Sequence, residues 1–232
     1  MTEKPKIMTL RAVLQVFVFI FLVPFLPLLV SARWGWGEAW AYALLNILGF
    51  FVSRLLAARR HPDLLAERAR IISQADAKPG DKRLVLLMGI VNIVAMLAAG
   101  LEHRLESPPS FPPGVKAAAL VIILAGYAIS AYALVENRFF SGVVRIQKER
   151  GHAVVTSGPY RWVRHPGYAG GLLLYLATPF YLDAPWAFLP VGVMAILLVV
   201  RTALEDRTLH AELEGYDDYA RRTRYRLIPG IW

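Results

Sequence analysis

The sequence predicts an all-α fold, a polytopic bundle of transmembrane helices, and three observations predict it. Hydrophobic residues make up 56% of the 232 and charged residues only 19%, with a mean hydropathy of +0.45. The apolar residues are gathered into runs approaching or reaching the length, roughly 17–25 residues, that crosses a bilayer. The cations fall between alternate runs, the bias that orients membrane proteins.

In chain order, spans are expected at 10–30, 39–57, 84–101, 115–135, 168–182 and 186–204. That makes six, or five plus a hairpin, since 168–182 is short and only Asp183, Ala184 and Pro185 part it from the next run. The first run follows Lys4, Lys6 and Arg11 and precedes Val30-Ser31-Ala32, a pattern shared with signal peptides. Its apolar core, about 20 residues against the usual 7–15, reads as a retained span. Pro24 and Pro27 should kink it. The stretch 54–83 spaces Leu55, Leu56, Leu64, Leu65, Ile71 and Ile72 among arginines, as a helix lying on the membrane surface would. Pro108, Pro109, Pro112 and Pro113 form a stiff turn on the other side. After the last span, 206–232 should be a helix ending in an extended piece near Pro229 and Gly230. No repeat or linker divides the chain, so 1–232 reads as a single domain.

Of the 26 Lys and Arg residues, only Arg33, Arg104 and Lys116 fall on one side under this topology. The positive-inside rule then puts both termini, and the segment around residue 165, in the cytoplasm. Trp34, Trp36, Trp40 and Trp186 fall where an outer aromatic belt belongs. A net charge of +9 distributed in this way fits membrane topology and anionic lipid and excludes nucleic acid as a partner, because no basic groove with a fold of its own is present. Zero cysteines exclude disulfides, thiolate nucleophiles and cysteine-based zinc sites. His61, His103, His152, His165 and His210 lack metal-ligand spacing, so no metal is expected.

Three segments carry candidate chemistry. In the run Gly158 to Gly170, polar groups crowd the start of an apolar helix, where such groups are costly and usually functional. Pro166 suits the first helical turn with His165 just before it, which turns free N–H groups and the positive helix end toward an anion. Gly167, Gly170 and Gly171 leave one face bare for a neighbouring helix or a ligand, and Tyr160, Arg161 and Arg164 add donors. An interfacial anchor built from the same residues is the competing reading. Arg201 and Glu205, four apart, share one face at the same membrane side. They form either a mutual ion pair or a matched pair in which Arg201 orients an anionic group and Glu205 holds hydroxyls or a cation. Finally, 137–155 suits a cytoplasmic lid over the site.

Assembled, these pieces resemble the isoprenylcysteine carboxyl methyltransferase family, and more distantly the membrane phospholipid N-methyltransferases. The resemblance rests on His152-Ala153-Val154-Val155, then Thr156 to Tyr160, then Val163-Arg164-His165-Pro166-Gly167-Tyr168, then Arg201 to Glu205, in order and spacing; it is strong over 137–232. It implies an S-adenosylmethionine cofactor under the lid. His152, Ala153, Val154 and Val155 would contact it largely through backbone, with Tyr160, His165, Pro166, Gly167, Tyr168 and Glu205 around it. Arg201 would take the acceptor's carboxylate. Where the family has a cofactor-binding Gln this chain has Arg145, with Gln147 two residues on, and either serves. The resemblance therefore implies an integral-membrane methyltransferase with a lipophilic small-molecule or prenylated acceptor, best a carboxylate. An amine or thiol acceptor would need a base, and His165 or Glu205 would supply it. Phospholipid N-methylation or methylation of a small thiol or amine is the alternative within that class; a non-catalytic lipid-binding protein or a transporter is the alternative outside it.

Overall fold

The computed structural model describes residues 17–64, 78–105, 108 and 110–232. Among them every regular element is helical. We label them α1 (Val18–Ser31), α2 (Gly37–Arg60), α3 (Pro79–Leu105), α4 (Pro113–Glu136), α5 (Pro166–Tyr181), α6 (Phe188–Glu212) and α7 (Tyr216–Arg222).

Among the described residues, four stretches are long and apolar enough to cross a membrane: Gly37–Arg60, Gly80–Leu105, Pro113–Glu136 and Pro185–Glu212. They correspond to the expected runs 39–57, 84–101, 115–135 and 186–204, extended at their ends into charged residues because helical hydrogen bonding continues past the hydrocarbon. α5 has 16 residues, about 24 Å of rise against a hydrocarbon core of about 30 Å. α1 begins as a π-helical turn, tightens to a 3₁₀ turn at Val23–Phe25 and continues as α-helix from Leu26. Pro24 and Pro27, each lacking an N–H, sit where the winding changes. The part of the first run before residue 17 lies outside the described residues, as do Leu65, Ile71, Ile72 and Pro109. Arg54 to Arg60, expected to begin a surface segment, instead complete α2.

Successive helices run antiparallel, and polar clasps mark the two ends. At one end Lys116 of α4 donates to Glu38 of α2 (2.7 Å) and to Asp183 after α5 (3.0 Å). Asp183 also accepts the Phe111 N–H (2.6 Å) and adopts a left-handed backbone (φ 48°), which Asp tolerates better than most residues. Trp36 departs from the belt expectation: it is buried, its ring stacked on His103 at 3.6 Å. Trp34, Trp40 and Trp186 are exposed at this end.

α4 and α5 pack backbone to backbone. A Cβ on Gly126 would come within 2.6 Å of the Gly170 carbonyl oxygen, and Ser130 Oγ donates to the Gly167 carbonyl (3.2 Å). The bare glycine face is therefore used first for helix contact, as in membrane bundles generally. Away from the core, Leu86, Val121, Leu189 and Ile196 are all exposed. Apolar surface on this scale is what lipid solvates and water does not.

Candidate active site

α5 starts at Pro166 with His165 as its N-cap, the placement expected from the missing proline N–H. At this end the segment between α4 and α5 is irregular apart from two 3₁₀ turns, Lys148–Arg150 and Gly158–Arg161. It folds back over the ends of α5 and α6 and encloses a cleft, part of it open to solvent.

The cleft wall includes Arg145, His152, Ala153, Val154, Val155, Tyr160, His165, Gly167, Tyr168 and Glu205. Three residues expected near it are not on that wall. Gln147 is fully buried, its amide donating to the Phe139 carbonyl (2.7 Å). Pro166 is buried in the first turn of α5. Arg201 lies behind Tyr168, its guanidinium carbon 5.2 Å from the ring centre. Between the two candidates Arg145 and Gln147, it is thus Arg145 that borders the cleft, with Glu149 accepting from it (2.6 Å).

Arg201 and Glu205 do not pair with each other. Arg201 donates from Nε and Nη2 to the two carboxylate oxygens of Asp81 (2.7 and 3.2 Å) and from Nη2 to the Gly142 carbonyl (2.8 Å). Asp81 Oδ2 further accepts the Val144 N–H (2.7 Å), so one buried carboxylate ties α3, α6 and the irregular segment together. Glu205 Oε2 accepts the Tyr168 hydroxyl proton (2.5 Å). The two residues share a helix and both reach Tyr168, but their hydrogen-bond partners differ.

His152 stacks on Phe139 (4.6 Å between ring centres), and its Nδ1 faces the Gln147 N–H (3.2 Å). An acceptor there must be unprotonated, which leaves the ring proton on Nε2. Burial, then the nearby cations Arg145 and Arg150, push its pKa down to about 4, so the ring is neutral at physiological pH. Tyr160 donates to the Ala133 carbonyl (3.3 Å) and accepts from Asn137 (3.2 Å); burial drives its pKa up, which leaves it a packing and hydrogen-bonding wall.

Ala153, Val154 and Val155 border the cleft, yet their backbone groups make no hydrogen bond to the described residues. Ala153 is exposed and Val154 and Val155 are half-buried, so water can reach these groups, and a ligand entering the cleft can take the place of that water.

Asp206 is not among the residues that the sequence marks as functional. It is almost fully buried (1% exposed) and accepts both Arg164 Nε (2.8 Å) and Nη2 (2.9 Å), Arg226 Nε (2.7 Å) and the Tyr216 hydroxyl (2.7 Å). His165 Nε2 lies 3.2 Å from the same carboxylate. Adjacent helical residues point about 100° apart, so Glu205 toward the cleft puts Asp206 toward the base of α5. An acid beside Glu205, with basic residues both before α5 and in the tail, was the available signal.

A polar and aromatic cleft at one end of an apolar bundle marks an integral-membrane protein with a candidate ligand site. Residues 118–211 match the model of the isoprenylcysteine carboxyl methyltransferase (ICMT) family. A probable protein-S-isoprenylcysteine O-methyltransferase of Oryza sativa subsp. indica is 31% identical over 150 residues, 59% of this chain and 75% of that protein. The protein-S-isoprenylcysteine O-methyltransferase of Rattus norvegicus is 33% identical over 154 residues, 60% of this chain and 52% of its own. A solved structure of a eukaryotic intramembrane Ras methyltransferase aligns with 96% of this chain and 87% of its own at 17% identity and a TM-score of 0.49. The chain belongs to the isoprenylcysteine carboxyl methyltransferase family and is an integral-membrane methyltransferase.

Proposed function

We propose that this chain transfers the methyl group of S-adenosylmethionine to a carboxylate on an apolar, isoprenylcysteine-like acceptor, with the cleft open to the cytoplasm. The observation that carries the reading is the unpaired backbone of Ala153, Val154 and Val155 on the cleft wall. The donor set fits such a cofactor: free amides and carbonyls for polar recognition, Tyr160 and Tyr168 as flat apolar walls, and a carboxylate, Glu205, for hydroxyls or positive charge. Bound S-adenosylmethionine supplies a methyl group on a positively charged sulfur, and an ionised carboxylate accepts it with no proton to remove. The residues of this chain therefore bind, align and exclude water. His165 and Glu205 need not act as bases toward a carboxylate.

Arg201 is the proposed anion grip. Asp81 and Gly142 hold its Nε and Nη2, and Nη1 has no partner among the described residues, so the guanidinium is oriented by one edge and keeps donors on the other. Asp81 is then a positioning residue. Glu205→Gln should weaken S-adenosylmethionine binding about tenfold or more, the scale of one lost charge-assisted hydrogen bond, as read by calorimetry on the purified protein. Unchanged binding would remove Glu205 from the cofactor site. Arg201→Ala should leave that binding intact and raise KM for a carboxylate acceptor in a labelled-methyl assay. An unaltered KM would mean that the acceptor is held elsewhere.

A further inference from the structure

Outside the cleft, at the same end of the bundle, the tail builds a second surface. Arg164 N–H donates to the Tyr225 carbonyl and His165 N–H to the Arg226 carbonyl, both at 2.9 Å, so 224–226 runs beside the approach to α5. The chain then turns toward the apolar part of the bundle. Leu227 packs with Leu172 of α5 and Leu198 of α6, and Trp232 rests on the same cluster. Leu227 and Ile228 N–H both reach the Trp232 carbonyl (2.9 and 3.0 Å), closing the turn. Leu172 lies about 9 Å along α5 from Pro166, so this turn sits at the depth of lipid-facing helix surface. There Ile228 and Ile231 point away from the protein, Ile231 with 77% of its surface exposed.

Just beyond the turn is a shallow recess lined by Arg161, Trp162, Arg222, Thr223, Arg224, Tyr225 and Pro229. Trp162 is 66% exposed, and no acidic side chain lines the recess. Arg161 and Arg224 have no ion-pair partner among the described residues, and Arg222 donates only to the Asp218 carbonyl (3.3 Å). The nearby Asp218 carboxylate is taken by Arg221.

We propose that this recess binds the headgroup of an anionic phospholipid, its phosphate among Arg161, Arg222 and Arg224 and its acyl chains over Trp162, Ile228 and Ile231. A free anion would satisfy the three guanidinium groups and leave the exposed Trp and Ile side chains in water. A neutral lipid would cover the apolar groups and leave three cations uncompensated. An anionic lipid answers both, because tryptophan favours the headgroup boundary and cations there attract anionic headgroups.

The test uses the purified full chain in bilayer discs carrying spin-labelled phosphatidylglycerol or phosphatidylcholine, with the motionally restricted fraction read by electron spin resonance. The expected result is a preference for phosphatidylglycerol of about fivefold or more at low salt, on the scale of one arginine at a charged surface, weakening as salt rises. The variant Arg161→Gln/Arg222→Gln/Arg224→Gln should lose the preference. Arg59→Gln/Arg207→Gln, exposed at the same end but outside the recess, should keep it. Arg224→Gln alone, which removes no side-chain hydrogen bond or ion pair among the described residues and so should fold, should give a smaller loss in the same direction. The proposal is overturned if the parent shows no preference, if Arg224→Gln and the triple variant both keep it in full, or if excess inorganic phosphate abolishes it. Lipid association is measured without turnover, so the result stands apart from the methyl-transfer reading.

Discussion

Asp206 joins three parts of the chain that are far apart in sequence: the approach to α5 through Arg164 and His165, the tail through Tyr216 and Arg226, and its own helix α6. A buried carboxylate facing two guanidinium groups is stable only as a set, and removing the acid leaves the buried Arg164 cation, and the partly exposed Arg226, uncompensated. Asp206→Asn keeps the shape and removes the charge, so it should cost about 3–5 kcal/mol, the range for breaking a buried pair. A clear drop in thermal midpoint in detergent checks this, and a change within error would show that the cluster contributes little. Glu205, one residue earlier, makes one side-chain hydrogen bond among the described residues, with Tyr168, so Glu205→Gln should affect ligand binding far more than stability. The sequence singled out Glu205 through its spacing from Arg201, and both side chains reach Tyr168, yet their ionic groups do not pair with each other. Spacing of four identifies a shared face; it does not say which of the groups on that face will pair, since Asp81 reaches Arg201 from 120 residues away.

At the scale of elements, the α4–α5 contact is where a single methyl group decides the packing. Gly126→Ala would drive its Cβ into the Gly170 carbonyl and should cost about 1–3 kcal/mol by forcing the helices apart. Gly171→Ala, whose Cβ would meet only Leu198 at 3.8 Å, should be tolerated or slightly stabilising, since alanine is the better helix former by up to about 1 kcal/mol. Equal effects on thermal stability would show that the close approach is not what these glycines serve. The glycine-rich face was legible in the sequence, but which glycine meets a helix was not, because that depends on where α4 lies. The irregular segment 137–155 carries its own signature through His152. Its folded pKa, near 4, is below the ordinary 6.5, so between those values the unfolded chain binds a proton that the folded chain does not. Stability should therefore fall as pH drops from 6.5 toward 4 and lose nothing more from this group below that. His152→Gln should flatten that part of the profile of thermal midpoint against pH. An identical profile would assign the acid sensitivity to other groups.

For the whole molecule, the long spans were legible because burial in lipid demands unbroken apolar length, a one-dimensional property. Trp36 and the ends of α2, α3 and α6 were less so, because they depend on neighbours: Trp36 leaves the aromatic belt for His103, and helix ends follow hydrogen bonding rather than hydropathy. Sidedness belongs to this scale too. The cleft end holds the arginines of α2, α6, the irregular segment and the tail, while the opposite end holds Arg33, Arg104 and Lys116. From so uneven a distribution we propose, by the positive-inside rule, that the cleft faces the cytoplasm. The absence of cysteine makes this directly measurable, since any introduced thiol is the sole target of a membrane-impermeant maleimide. Gly35→Cys, where an added side chain meets open space, marks the opposite end, and Glu214→Cys, exposed between α6 and α7, marks the cleft end. Intact cells should label the first and leave the second unlabelled until the membrane is permeabilised. The reverse pattern would place the cleft, and with it the site of methyl transfer, on the outer side.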